Sequence, residues 1–159
     1  MDNKVFDFHE IKTFEDACKH LGIGAETLLV ESSGDTAAFL QANALYKLMI
    51  IQKAINNGKW CNENGYSYSP YWIFYTKEKF ACLSEEEKQS LGIKPIISCV
   101  VAPDTGVSGV RCAGVCTRSG LILTDCGFPI LFDSRKAAVY AAKQFEDLFF
   151  QYYGIKVKD

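Results

Sequence analysis

From Thr36 to Asn57 the chain runs without a proline or a glycine, and Gly58 follows directly. An unbroken stretch of this length has room for about six helical turns at 3.6 residues each. Leu40, Ala44, Leu48, Ile51 and Ile55 recur at spacings of three and four, which places them on one helical face. Asp35 stands where its carboxylate can accept from the free amides of the first turn. Gly58 supplies the left-handed residue on which helices commonly end. The stretch predicts a long helix that docks by one apolar face.

Residues 60 to 75 then hold seven aromatics: Trp60, Tyr66, Tyr68, Tyr71, Trp72, Phe74 and Tyr75. Large aromatics bury much area, so packing against the preceding helix is the expected role. A stacking surface for a ligand is the alternative. Lys47, Lys53 and Lys59, with Trp60, Tyr66, Tyr68 and Trp72, form the basic-aromatic neighbourhood of the chain at 47–72. Such a mix holds single-stranded nucleic acid when aromatics stack on bases and lysines meet phosphates. A solvated helix face followed by core aromatics, with lysine stems laid over apolar surface, accounts for the same residues without a ligand.

A length of 159 residues fits one domain, read as 1–159 with 1–12 as an irregular polar leader. Hydrophobic content of 48% with 23% charged residues is that of a globular chain. The net charge of −2 argues against a dedicated nucleic-acid binder, which would carry a basic patch. Seven cysteines, an odd number, follow a polar start with no apolar signal region. The expectation is a reduced, cytoplasmic protein with buried thiols. No apolar run approaches the roughly 18 residues that span a bilayer, so no membrane partner is expected.

Thr13-Phe14-Glu15-Asp16 resembles a capping box, opening a helix to about Leu21 that stops at Gly22. Ala25 to Val30 reads as a further helical turn. Pro70 suits a strand start, and Tyr71 to Thr76 reads as strand. Ser84 to Glu87 is a second capping box, for a short helix ending near Leu91-Gly92. Strands are expected at Ile96–Ala102, Val107–Thr117, Leu121–Thr124 and Pro129–Phe132, joined by turns at 103–106, 118–120 and 125–127. Short turns between consecutive strands imply an antiparallel meander. A last helix runs from about Arg135 to Tyr153, stopped by Gly154, with Ala137, Ala138, Ala141, Phe145, Leu148, Phe149 and Tyr152 on its apolar face. The fold class is therefore α+β: about four antiparallel strands packed against the long helix and the C-terminal helix.

Catalytic motifs are weak. Asp104-Thr105-Gly106 is the triplet of aspartic proteases, but Pro103 precedes it, and Pro-Asp-Thr-Gly is a good hairpin turn. Cys112 and Cys116 share one face of a regular strand and sit about 13 Å apart at 3.3 Å per residue. That is too far for a disulfide or one zinc unless a bulge at Gly114 folds the strand. Cys99 and Cys126 could approach one another from neighbouring strands, but inert buried thiols are the simpler reading. His20 falls in the last turn of the first helix, where a cation meets the negative dipole end. A Cys-His pair would join Cys18 or Cys61 to His20, and His9 is the other histidine. No Walker loop, GxGxxG, HExxH or GxSxG is present, so no cofactor, metal or catalytic residue is assigned.

Four segments carry a resemblance. They are Thr13 to Ile23; Tyr46, Lys47, Leu48, Ile50, Ile51, Ala54, Asn56, Gly58 and Trp60; Tyr68, Pro70 and Trp72; and Phe132, Ser134, Ala138, Tyr140, Ala141, Lys143, Gln144, Phe145, Asp147, Leu148 and Tyr152. Together they resemble a group of proteins encoded by phages and mobile elements of Bacteroides-type gut bacteria, for which no activity is known. Lys59 is inserted between Gly58 and Trp60, and Cys61 replaces the Pro-Asp of the group. The resemblance implies a shared fold and a cytoplasmic, accessory role on mobile DNA.

Three functional expectations follow. The first is a non-enzymatic accessory or protein-interaction protein. The second is a nucleic-acid-binding module using residues 47–72, and the third a thiol- or metal-dependent enzyme.

Overall fold

The computed structural model describes residues 6–25, 36–60, 66–99, 106–119 and 130–158. The leader makes a 3-10 turn at Phe8–Glu10, capped by Asp7, whose Oδ1 accepts from the His9 N–H at 3.0 Å. It is tied down from the far end of the chain. The Tyr140 hydroxyl donates to the Ile11 carbonyl (2.8 Å), and Gln144 Nε2 donates to the Lys12 carbonyl (2.9 Å).

The first capping box forms as expected: the Asp16 N–H donates to Thr13 Oγ1 (3.1 Å) and the Thr13 N–H to Asp16 Oδ2 (3.0 Å). It opens α1 (Phe14–Leu21). The long helix α2 (Thr36–Ile55) stops two residues short of the expected Asn57. Asn57 and Gly58 both take left-handed backbone, φ 52° and 87°. Asparagine tolerates that conformation better than most side-chain-bearing residues. The expected cap Asp35 and most of the turn at 25–30 lie outside the described residues. The second half of α2 is buried on nearly all sides. Leu48, Ile50, Ile51, Ala54 and Ile55 are covered, and so are the amides Gln52 and Asn56. A helix apolar around its circumference belongs inside a core, and α2 lies against α1 and α6 (defined below).

After it come β1 (Tyr66–Thr76), α3 (Lys77–Ala81), α4 (Glu85–Ser90), β2 (Lys94–Cys99), β3 (Val107–Ser119), α5 (Arg135–Gln144), α6 (Glu146–Tyr153) and β4 (Ile155–Val157). The Ser84–Glu87 capping box of α4 is present in both directions. The strands form one antiparallel sheet in the order β1-β3-β2-β4. The α+β class with four antiparallel strands is as read from the sequence, but the spatial order is not the chain order. β3 lies between β1 and β2, and β4 comes from the C-terminal tail. The strand read at Leu121–Thr124 lies outside the described residues. Phe132 contributes one antiparallel bridge, exchanging backbone hydrogen bonds of 2.9 and 2.8 Å with Tyr68.

Where one C-terminal helix was expected there are two. Phe145 leaves the helical region at φ −117°, ψ 28°, serving as C-cap of α5 and N-cap of α6. The break leaves Phe145, Phe149 and Phe150 all buried. Trp72 of β1 meets the rings of Phe149 and Phe150 at centroid distances of 5.7 and 5.2 Å. The main core thus joins α1, α2, α5 and α6 to the inner face of the sheet, through Tyr68, Trp72 and Val115. On the outer face α3 lays Phe80 over Gly109, where an added Cβ would come within 2.5 Å of the ring.

Candidate functional site

The basic-aromatic residues of 47–72 do not converge. Lys47 reaches toward α1, its Nζ 5.5 Å from the Phe14 ring. Trp72 packs on α6, and its indole N–H is buried without a partner. Tyr68 packs against the main core. The backbone of Tyr66 starts β1, and its side chain lies outside the described residues. Lys53, Lys59 and Trp60 stay together at the end of α2. Trp60 is 49% exposed, and Lys53 Nζ sits 4.8 Å from its ring centre, a cation–π contact that already occupies the lysine. The described aromatic side chains of 60–75 therefore divide between core and surface, with Trp60 and Tyr71 on the surface.

Beneath Trp60 the buried amides fasten a distant segment. Gln52 Nε2 donates to the carbonyls of Trp60 and Leu131, the latter at 2.8 Å. Asn56 Nδ2 donates to the Leu131 carbonyl (2.8 Å), and Asn56 Oδ1 accepts from the Asp133 N–H (3.1 Å). Buried amides are tolerated when satisfied in this way. Asp133 is not: its Oδ1 is buried without a partner. Burial pushes its carboxyl above the usual range, and Lys59 pulls weakly the other way.

The thiols divide likewise. Cys112 and Cys18 are pushed above the ordinary thiol range by burial, the second also by Glu15. A raised thiol carries less of the nucleophilic thiolate at neutral pH. Cys82 is exposed and Cys99 buried. β3 bulges between Cys112 and Gly114, which stand opposite Trp72 and Tyr71. Position 112 then lies opposite 72 and position 116 opposite 69, an odd number of steps along β1. The regular-strand spacing of the CxxxC pair is thus interrupted beside Gly114. His20 ends α1 and stacks on Phe6 at 4.5 Å. His9 Nδ1 pairs with Asp7 Oδ1 at 2.7 Å. Asp104, Cys61 and Cys126 lie outside the described residues, as does the side chain of Cys116. Among the described residues, no three of His, Cys, Asp and Glu are placed to hold a metal. None of the described helices is long and apolar enough to cross a membrane.

A concave surface lies elsewhere. A groove of about 610 Å³ runs between the first turns of α2, the outer side of α6 and β4. Leu40, Leu148, Phe150, Ile155 and Val157 give it apolar walls, and Asp147 and Lys156 also line it. Leu40 is 41% exposed although it belongs to the apolar stripe of α2. The groove matches the size and apolar lining of ligand sites in general. The sequence reading missed it because its third wall is the tail after Gly154. Ile155-Lys156-Val157 alternates as a strand does, and that was the available signal.

Comparison with family models, curated proteins and solved structures returns no match to this chain.

Proposed function

We propose that this chain is a non-enzymatic accessory protein of phage or mobile-element origin, acting in the cytoplasm by binding another protein through the α2–α6–β4 groove. The observation that supports the binding role is the surplus of apolar surface there. Leu40 is exposed in a groove walled by Leu148, Phe150, Ile155 and Val157, and exposed apolar surface of this kind marks interaction sites. The free thiols Cys18, Cys82, Cys99 and Cys112 fit a reducing compartment. Mobile-element origin rests on the four resembling segments alone.

The test is affinity purification from the native host with wild-type bait and with Leu40→Asp and Leu40→Arg. One protein retained near equal stoichiometry by wild type, and lost from both variants, is the expected result. A partner held equally well by the variants would remove the groove from the reading. Genes for housekeeping functions on both sides of this one would remove the mobile-element origin.

A second reading is favoured by one observation: Lys53, Lys59 and the exposed Trp60 ring lie together at the end of α2. It predicts binding of labelled single-stranded DNA that weakens with salt and in Lys53→Ala and Trp60→Ala. Anisotropy unchanged by either substitution would eliminate it.

A further inference from the structure

We infer that the groove receives an extended peptide segment that adds as a fifth strand to the outer edge of β4, with an acidic residue opposite Lys156. The inference rests on the interaction reading above and names the kind of partner.

The backbone comes first. The Lys158 N–H donates to the Pro95 carbonyl of β2 at 2.9 Å. Backbone groups in an antiparallel strand alternate sides, so those of Lys156 also point to β2. Those of Ile155 and Val157 point away from it. β4 is the last strand of the sheet, and among the described residues none pairs with that outer side. All three residues of β4 line the groove. Alternate side chains of a strand face opposite ways, so three consecutive residues share one groove only when the strand turns its edge to it.

An open edge with exposed donors and acceptors recruits extended segments, and pockets for alternate side chains then give specificity. Here Ile155 is buried, Lys156 exposed and Val157 half-buried. An incoming strand would lay apolar side chains beside Ile155 and Val157, toward Leu40 and Leu148. Its intervening residue would stand beside Lys156. Opposite charges across strands attract and like charges repel, which selects an acidic residue there. The same rule rejects a second copy of this chain. Two β4 strands paired antiparallel about their centres would set Lys156 against Lys156.

The experiment starts with random peptides displayed on phage, selected on the wild-type chain and counter-selected on Val157→Pro. Proline at 157 removes one outward N–H and leaves the β2 ladder intact. The expected consensus is apolar–acidic–apolar. Fluorescence polarisation with a synthetic consensus peptide then gives affinities. Val157→Pro should bind about tenfold more weakly, having lost a strand-addition hydrogen bond. Lys156→Glu should bind about fivefold more weakly and regain affinity for the Lys-substituted peptide. Should Val157→Pro fail to fold, a peptide N-methylated at the pairing position makes the same test from the other side. No enrichment over the counter-selection, a consensus without alternation, or binding indifferent to N-methylation would overturn strand addition. If a host partner is lost from Leu40→Asp yet retained by Val157→Pro, strand addition falls and the interaction reading stands.

Discussion

The two edges of this sheet are treated in opposite ways. On the β1 side Phe132 bridges to Tyr68, and its own ring is almost wholly buried. That bridge is held from behind by Asn56 and Gln52, which clasp the neighbouring Leu131 carbonyl. On the β4 side the last strand is three residues long and faces a groove. Natural sheets blunt free edges with short strands and lysines, and β4 has both features in its length and in Lys156. Blunting limits indiscriminate pairing, and the apolar groove lies alongside. Among the described residues, then, one edge of the sheet carries a bridging segment and the other carries none.

The contrast can be broken from its stable side first. Phe132→Ala should cost about 3–5 kcal/mol, as a large-to-small change in a full core does, measured as a lower urea midpoint. Gly109→Ala should cost about 1–3 kcal/mol, since the new methyl meets the Phe80 ring and Ile93 Cγ2. The part due to the ring should vanish when Phe80→Ala is already present, a coupling that a double-mutant cycle measures. If Gly109→Ala were equally costly without the ring, the ring would not be its cause.

Asp133 gives a pH test at the clasp. Its folded carboxyl is raised by burial, so the folded state holds a proton that the unfolded state releases first. Stability from this group is then complete below the unfolded value and falls as pH rises through the folded one. Asp133→Asn should therefore be more stable than wild type at neutral pH, with the difference shrinking as pH falls toward the ordinary carboxylate range. Urea titrations at several pH values check this, and a gap that widens in acid would refute it. The smallest effect belongs to the open edge. Leu40→Asp and Leu40→Arg should change stability by no more than about 0.5 kcal/mol, as exposed positions do, while removing partner binding. Matching thermal melts with lost binding would sharpen the contrast, whereas a large stability loss would mean that the groove walls belong to the core.

Much of the local structure was legible residue by residue. Both capping boxes, Thr13 with Asp16 and Ser84 with Glu87, are short-range chemistry that needs no tertiary context. The span of α2 followed from the absence of glycine and proline, and four of its five predicted face residues are buried. Of the candidate site, the sequence located Lys53, Lys59 and Trp60 as neighbours because they lie within eight positions of one another. It could not separate them from Trp72 and Tyr68, since only the packing of α5 and α6 on the sheet decides that those two turn inward.

What the chain determined by itself is therefore what depends on neighbours a few residues away: caps, helix faces, turn glycines and the α+β class. The tertiary structure decided the strand order, the break at Phe145, the bulge between Cys112 and Gly114, and the assembly of a groove from α2, α6 and a three-residue tail strand. Each of these depends on contacts between residues far apart in sequence, where local propensity is weak and the burial of shared apolar surface selects among the available pairings.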